Sequence, residues 1–282
     1  MRAKSEALAT ASITSGWIPA AQASYTFGNL WPPREVAELP LEYSHNLLLI
    51  AASFMIALMA GFTGLSMTRG ASDVGPQRRK VLVAVSAVVL GGGIWSMHFV
   101  AMLGLQLPVL FYYDALTTLV SALIAILIVG LGLIVLHFKE RTRATITIAG
   151  LIFGAGILGM HYVGMAGMQL CKATYTPNGI VLSVGASLIL SILAIWLAYG
   201  DRSRSNIVLG TIFFAVAVTA LHYIAIASAS FVKQDTDVLS SIALSNELLA
   251  LLVTLASFVI CGGFLLSGAT FFPKAAETVG SV

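Results

Sequence analysis

Charged residues are scarce in this chain of 282 residues, and their scarcity is the first guide to its class. Only 10% of the residues are Asp, Glu, Lys or Arg, whereas 58% are hydrophobic and the mean hydropathy is +0.94. Soluble domains carry about 25% charged residues. Because a protein this poor in charge must turn most of its surface toward lipid, the composition predicts an integral membrane protein.

Cysteine and the common catalytic motifs are also rare or missing. The two cysteines, Cys171 and Cys261, are too few for a disulfide framework, and the chain contains no CxxC, Walker A, GxSxG or HExxH motif. The net charge of +3 gives no sign of nucleic-acid binding. We therefore expect neither an enzyme nor a nucleic-acid-binding protein.

Long hydrophobic runs, in contrast, are numerous. A helix needs about 20 apolar residues to cross a bilayer. Seven runs of about this length occur, at about residues 45–68, 81–105, 115–137, 145–169, 179–199, 206–231 and 246–269. We expect an all-α integral membrane domain of seven transmembrane helices over 45–270, in contact with lipid. A polar extracytoplasmic tail over 1–44 would precede it, and a short cytoplasmic tail over 271–282 would follow.

Lys and Arg residues are distributed unequally between alternate loops, which predicts the orientation of the helices. The loops after spans 1, 3 and 5 contain nine of them, and the loops after spans 2, 4 and 6 contain two. The loops richer in positive charge are expected to face the cytoplasm. The N-terminus is therefore predicted to lie outside and the C-terminus inside.

Spans 2, 4 and 6 contain a repeated sequence. The copies read GIWSMHFVAM (93–102), GILGMHYVGM (156–165) and VAVTALHYIAI (216–226), and a degenerate continuation of the third copy follows at 237–253. The histidines His98, His161 and His222 are 63 and 61 residues apart, so the chain has a three-fold helical-hairpin repeat. At ~1.5 Å per residue, all three are expected roughly 9–14 Å from the outer helix ends, in one layer of the membrane.

Soft metal ligands accompany these histidines. Four methionines lie in the same layer: Met97, Met102, Met160 and Met165. The second and fourth of these follow a histidine by four residues and share its helix face, whereas the other two point about 100° away. Imidazole and thioether ligands favour copper, and no carboxylate lies in the layer to favour Mg²⁺ or Ca²⁺. Further candidate ligands lie near the outer surface: His45, Met168 and Cys171.

Other interpretations of the histidine layer remain open at this point. The histidines could bridge helices by hydrogen bonds and bind nothing. Paired histidines could ligate haem in an electron-transfer protein, and a repeated membrane fold is also compatible with a metal transporter. A retinal receptor is excluded because span 7 contains no lysine for a Schiff base.

The repeated motif resembles the MHYT domain, a bacterial integral membrane sensor module. The matching segments read MHFV (97–100), MHYV (160–163) and LHYI (221–224), and the resemblance extends over about residues 43–270. The Thr of the family motif is absent from all three copies, and the third copy also lacks the Met. The resemblance implies copper bound through Met97, His98, Met160, His161 and His222.

The same resemblance implies a function. It indicates a signal-transduction protein of the bacterial cytoplasmic (inner) membrane that senses a diatomic gas (O2, CO or NO) or redox state. Many family members place an output domain after the last helix. This sequence ends about a dozen residues after span 7. We therefore expect either a stand-alone module that signals through a separate cytoplasmic protein or a truncated chain, and both alternatives stay open.

Overall fold

Seven long helices dominate the computed structural model, which describes residues 40–234 and 243–271. They are α1 Leu47–Met67, α2 Pro76–Leu103, α3 Ala115–Phe138, α4 Arg143–Ala166, α5 Pro177–Tyr199, α6 Arg204–Ala227 and α7 Asn246–Phe271. All seven are long and apolar enough to cross a membrane, which confirms the predicted class. The largest boundary differences are at α2, which begins five residues before the prediction, and at α6, which ends four residues before it.

Local sequence signals explain where these helices begin. Side chains of five residues accept hydrogen bonds from the first free backbone N–H groups of their helices: Asn46, Asp114, Thr142, Thr176 and Ser203. Proline occupies the first position of α2 and of α5, where it costs no backbone hydrogen bond. The helix starts are therefore fixed locally, before any packing between helices.

The helices pack as a ring of six with a three-fold arrangement. Each of α1–α6 packs against the next, and α6 closes the ring against α1. α2, α4 and α6 also contact one another, so these three form the inner layer and α1, α3 and α5 the outer one. The most apolar window of each inner helix is 50–56% buried, compared with 28–33% for α3 and α5.

The seventh helix lies outside this ring, against α1 and α2. In the structure α7 does not take the place beside α6 that α3 takes beside α2 and α5 takes beside α4. That place is taken by α1, from the other end of the chain. Because α7 covers one side of α1, the window of α1 is 44% buried, more than its counterparts in α3 and α5.

Two glycines show how closely the inner and outer helices approach. A Cβ atom at Gly91 of α2 would lie 2.5 Å from the Cα of Ile126 in α3. A Cβ atom at Gly150 of α4 would lie 2.6 Å from the Cα of Ile192 in α5. Any larger residue would push these backbones apart, so small residues set the inter-helix distance here.

One end of the bundle carries short strands, which the sequence analysis did not predict. They are β1 Ser44–His45, β2 Leu105–Gln106, β3 Tyr112–Asp114, β4 Met168–Gln169, β5 Cys171–Tyr175, β6 Ala229–Lys233 and β7 Ala243–Leu244. Antiparallel ladders join β1 to β2, β5 to β6, and β3 to both β4 and β7. These ladders pair the backbone N–H and C=O groups of the segments that connect the helices, so the connecting loops form an ordered cap over this end of the bundle.

The two ends of the bundle are named here by their buried polar residues. The end with the strands is the histidine end, and the end formed by the loops 68–75, 139–142 and 200–203 is the arginine end. A short 3-10 turn, Ala71–Asp73, lies in the first of these loops. The predicted orientation, with the arginine end in the cytoplasm, stays a prediction. Most of the predicted tails lies outside the described residues, at 1–39 and 272–282.

Candidate metal centre

The structure brings the three repeat histidines together at the centre of the ring. His98, His161 and His222 each lie five residues before the last residue of their helix, at 103, 166 and 227. This corresponds to a depth of about 7–8 Å. The histidines are therefore closer to the helix ends than the predicted depth, because the helices end earlier than the hydrophobic runs. All three side chains are buried, with at most 1% of their surface exposed.

The imidazoles point the same ring nitrogen toward one another. His98 Nδ1 lies 3.0 Å from His222 Nδ1 and 3.3 Å from His161 Nδ1. Ligand atoms of the three residues all lie within 4.8 Å of one another, and the ring centroids are 5.0–5.3 Å apart. We call these three residues the histidine cluster.

Hydrogen bonding alone cannot satisfy the histidine cluster. A neutral imidazole nitrogen carries either one proton or one lone pair in the ring plane. The Nδ1 atom of His98 faces two others, so only one of its two contacts can be a well-formed hydrogen bond. The Nε2 atoms of all three rings are buried without a hydrogen-bond partner among the described residues. A cation between the Nδ1 atoms would accept all three lone pairs at once.

The spacing of the cluster also suits a metal ion. Two imidazole nitrogens bound to one ion at ~2.0 Å lie about 3.3–3.5 Å apart in tetrahedral or trigonal geometry. Two of the three separations, 3.0 and 3.3 Å, are close to this range, and the ligand atoms of His161 and His222 lie within 4.8 Å of each other. In the described part of the chain no carboxylate belongs to the cluster. A neutral set of imidazoles, buried from water, suits copper or zinc rather than Mg²⁺ or Ca²⁺.

An aromatic ring packs edge-on against each imidazole. In every copy it belongs to the next residue in the chain, and the centroid distances are 4.8–5.0 Å. These residues are Phe99, Tyr162 and Tyr223. Each aromatic ring therefore shields its histidine from the outer helix layer and limits how far the imidazole can turn.

A second ring covers each of these aromatic residues from the cap. Phe99 contacts Tyr113 at 5.4 Å, Tyr162 contacts Tyr175 at 5.1 Å, and Tyr223 contacts His45 at 5.7 Å between centroids. In each case the covering residue comes directly before the residue that caps an outer helix, namely α3, α5 or α1. The helix α1 therefore completes the third structural repeat.

The position of His45 follows from this symmetry. His45 was predicted as an additional ligand, but the structure does not bring it into the histidine cluster, because the Tyr223 ring packs against both His45 and His222. Burial lowers the pKa of the His45 imidazole and raises the pKa of the Tyr113 and Tyr175 hydroxyls. These three covering residues are therefore uncharged near neutral pH.

The outer helices contribute a serine at the same place in each repeat. Ser53, Ser121 and Ser183 each lie seven residues after the residue that caps their helix. Ser183 Oγ lies 2.7 Å from the Tyr162 hydroxyl, and Ser53 Oγ lies 3.3 Å from the Tyr223 hydroxyl. These contacts tie the aromatic residues to the outer helices. In the first copy Phe99 has no hydroxyl, and Ser121 donates only to the Thr118 carbonyl.

A glycine makes room for one of the imidazoles. A Cβ atom at Gly164 of α4 would lie 2.8 Å from Nε2 of His98. Gly164 follows His161 by three residues, so α4 supplies both a histidine and the space for its neighbour.

The predicted methionine ligands lie on the helices α2 and α4 that carry cluster histidines, or just after α4 in β4. Met97, Met102 and Met160 are buried, and Met165 and Met168 line a cavity of about 250 Å³ together with Tyr162 and Tyr175. Among the described residues, no hydrogen bond joins a methionine sulfur to a cluster imidazole. Their role as ligands stays a prediction.

Cys171 lies apart from the cluster. It is a free, buried residue of β5, and it does not belong to the group formed by the three histidines. Burial raises the pKa of its thiol to about 11, partly offset by a hydrogen bond from the Lys172 backbone. A thiol with a raised pKa is mostly protonated near neutral pH, and the role of Cys171 as an additional ligand stays a prediction.

Comparison with known proteins identifies the repeat. A family profile described as "Bacterial signalling protein N terminal repeat", the MHYT repeat, matches residues 91–150 and 154–211. The two matches start near the histidine-bearing half of α2 and of α4 and run through the outer helix that follows. They correspond to the first two structural repeats, and the third, closed by α1, lies outside them.

Curated relatives are signalling proteins. This chain is 32% identical over 194 residues to the bifunctional diguanylate cyclase/cyclic di-GMP phosphodiesterase MucR of Pseudomonas aeruginosa. The aligned region covers 67% of this chain and 28% of MucR. It is 30% identical to the cyclic di-GMP phosphodiesterase NbdA of the same organism over 64% of this chain and 24% of NbdA. The signaling protein YkoW of Bacillus subtilis is 24% identical over 79% of this chain and 29% of YkoW.

The matched region is thus a small part of each relative. It spans about a quarter of the length of these three proteins. No solved structure matches the chain.

Proposed function

This chain belongs to the MHYT family of bacterial membrane signalling proteins, and on this basis we propose that it is a sensor whose histidine cluster binds one copper ion. The convergence of three buried Nδ1 atoms in one place supports this assignment most strongly. His98, His161 and His222 would hold the ion. Bound copper would supply a redox-active centre that can take a diatomic gas as an additional ligand.

The protein itself would control access to this centre. The edge-on aromatic rings and the cap exclude water, and the absence of a carboxylate from the cluster favours a soft ion of low charge. The cavity lined by Met165 and Met168 offers thioethers close to the cap. Thioethers select Cu(I), so these methionines suit a role in passing copper toward the cluster.

The helix arrangement suggests how a signal would leave the centre. Each ligand lies on a different inner helix, and each of these helices continues to the arginine end. A change in the number or geometry of the bonds to the ion would favour a different packing of α2, α4 and α6. We propose that a separate signalling protein reads this change, and that it acts in cyclic di-GMP signalling, as the names of MucR and NbdA indicate for those relatives.

The haem alternative is less compatible with the geometry. Imidazole centroids 5.0–5.3 Å apart leave no room between the rings for a porphyrin. A haem would need the inner helices to separate and the cap to open. Copper requires no such rearrangement.

Metal analysis of the purified full chain tests the proposal. After growth with added copper, we expect close to one copper per chain in the wild type and less than about a tenth of that in His98→Ala, His161→Ala or His222→Ala, because each loses one of three ligands. His137→Ala removes a buried histidine at the arginine end and serves as the matched control. Folded wild-type protein that contains zinc, or no metal, would contradict the copper assignment.

A further inference from the structure

The arginine end contains a buried cation that has no anionic partner among the described residues. Arg202 lies in the turn between α5 and α6 and is only 8% exposed. Its Nη2 donates to the Leu65 carbonyl at 3.3 Å and to Thr68 Oγ1 at 3.2 Å, and its guanidinium stacks on the Tyr199 ring at 4.3 Å. All of these partners are neutral.

Two of the donor nitrogens of Arg202 remain unused. Nε and Nη1 are buried without a hydrogen-bond partner among the described residues. The neighbouring carboxylate of Asp201 is engaged elsewhere, since it accepts from the Ser203 backbone N–H at 2.8 Å. Burying a charge without pairing it costs several kcal/mol. A fold that keeps an arginine in this state therefore gains from an anion supplied from outside the chain.

The surrounding charges strengthen this conclusion. Burial lowers the pKa of the Arg202 guanidinium, Tyr199 partly offsets this effect, and the nearby Arg141 and Arg69 lower the pKa further. Their effect on Arg202 is that of excess positive charge. An anion at this place would be attracted by several cations at once.

The backbone directs this side chain inward. Arg202 has a φ of 61°, in the left-handed region that residues other than glycine rarely adopt. Strained backbone persists where the surrounding structure holds it, and such positions often belong to functional sites. The other two loops of the arginine end also carry arginines, Arg69 and Arg141, and both of these are exposed.

A cavity lies beside the guanidinium. It has a volume of about 390 Å³ and is lined by residues of α1, of the loop after it, of the α5–α6 turn and of α7: Ser66, Met67, Arg69, Gly70, Asp73, Arg202 and Ser267. Its charged residues are two arginines and one carboxylate, Asp73, which is exposed. Its volume is within the range of about 300–1,000 Å³ that is typical of small-molecule sites.

We propose that this cavity binds a phosphate-bearing anion, with Arg202 as its main ligand. The planar guanidinium presents paired N–H donors that match phosphate oxygens, and two of its nitrogens are unused. The anion belongs either to a phospholipid headgroup at the membrane surface or to a soluble phosphate. This site is separate from the histidine cluster, at the opposite end of the helices, so it stands independently of copper binding.

A bound anion would connect the outlying helix to the ring. The cavity is lined from α1, from the α5–α6 turn and from α7, and α7 otherwise packs only against α1 and α2 among its main contacts. Occupancy would therefore stabilise one position of the end of α7. This gives the site a means of influencing whatever follows or contacts that helix.

Binding measurements on the full chain in dodecyl maltoside test the proposal in two arms. The first measures radiolabelled inorganic phosphate by equilibrium dialysis, and the second measures retention of phosphatidylglycerol by native mass spectrometry. We expect saturable binding of one ligand in at least one arm and at least 10-fold weaker binding by Arg202→Gln. Arg78→Gln, which changes an exposed arginine at the same end of the bundle, should bind like the wild type.

The arms also identify the source of the anion. Binding of lipid but not of phosphate assigns a headgroup site, and binding of phosphate assigns a soluble ligand. If wild-type protein binds neither, or if Arg202→Gln binds equally well, the proposal is wrong. Should Arg202→Gln fail to fold, Arg202→Lys keeps the charge but loses the paired donors and should still bind more weakly. Copper content is measured separately, so either proposal can fail alone.

Discussion

The two ends of the bundle bury polar groups in opposite ways. At the histidine end, three neutral imidazoles lie on equivalent helices, and each is covered by an adjacent aromatic ring and then by a residue of the cap. At the arginine end, a single cation is buried among neutral partners from α1 and α5. The first arrangement is three-fold, and the second occurs once.

This difference shows what an internal repeat can and cannot provide. A repeat places the same residue type at the same depth on three helices, which is suited to surrounding a single ion. A site for an asymmetric ligand needs residues that differ between copies. Arg202 meets this need because it is a left-handed residue buried beside Tyr199, whereas Arg69 and Arg141 in the other two loops of this end are exposed.

Gly164→Ala is expected to have the largest effect, a loss of copper affinity at the histidine end. The added Cβ would lie 2.8 Å from His98 Nε2 and should displace that ring from the cluster. Disturbing the support of a metal ligand typically weakens binding about 10–100-fold, so copper affinity should fall by this amount in a competition assay. Gly92→Ala, whose Cβ would meet no atom within 4 Å, is the control. Unchanged affinity in Gly164→Ala would show that His98 is not held as described.

An intermediate effect is expected from Tyr199→Phe at the arginine end. The Tyr199 hydroxyl lies 2.9 Å from Thr68 Oγ1 and 3.3 Å from His137 Nε2. Its loss leaves the buried His137 ring without a hydrogen-bond partner among the described residues, whereas Thr68 keeps its contacts with the Leu65 carbonyl and Arg202. The free energy of unfolding should fall by about 1–3 kcal/mol, measured by denaturation with sodium dodecyl sulfate. Copper content should not change. A loss of copper in this variant would mean that the two ends are not independent.

The smallest effects on the free energy of unfolding are expected from two substitutions at the histidine end, Tyr162→Phe and Tyr223→Phe, which change equivalent residues of two repeat copies. Tyr162→Phe removes a 2.7 Å hydrogen bond to Ser183, but Ser183 also donates to the Ile180 carbonyl and remains satisfied. The cost should be about 0.5–1.5 kcal/mol of unfolding free energy. Tyr223→Phe removes a longer contact of 3.3 Å to Ser53 and should cost less. The reverse order would contradict the inferred strengths of these bonds.

Much of the fold could be predicted because membrane helices are specified by local properties. Length and hydropathy identified seven spans, and the spacing of His98, His161 and His222 placed them in one layer. The convergence of these histidines required only that three parallel helices meet. The end of α6 at Ala227 was missed because the apolar run continues into β6, whose strand pairing depends on a distant segment, β5.

Other features depend on contacts between distant parts of the chain. The closure of the ring by α1 and the resulting equivalence of His45 with Tyr113 and Tyr175 could not be predicted from the order of the copies. A usable signal was present, since each of these residues directly precedes a capping residue, Asn46, Asp114 or Thr176. Arg202 was interpreted only as a loop charge, because its burial follows from a backbone conformation and not from composition.

X-ray absorption spectroscopy of copper-loaded wild-type protein tests the central claim most directly. We expect one copper ion per chain, bound by three nitrogen atoms at about 2.0 Å. Loss of this nitrogen shell in His161→Ala would assign it to the cluster. A first shell dominated by sulfur would contradict the account, because the ion would then lie among the methionines or Cys171 instead of between the three imidazoles.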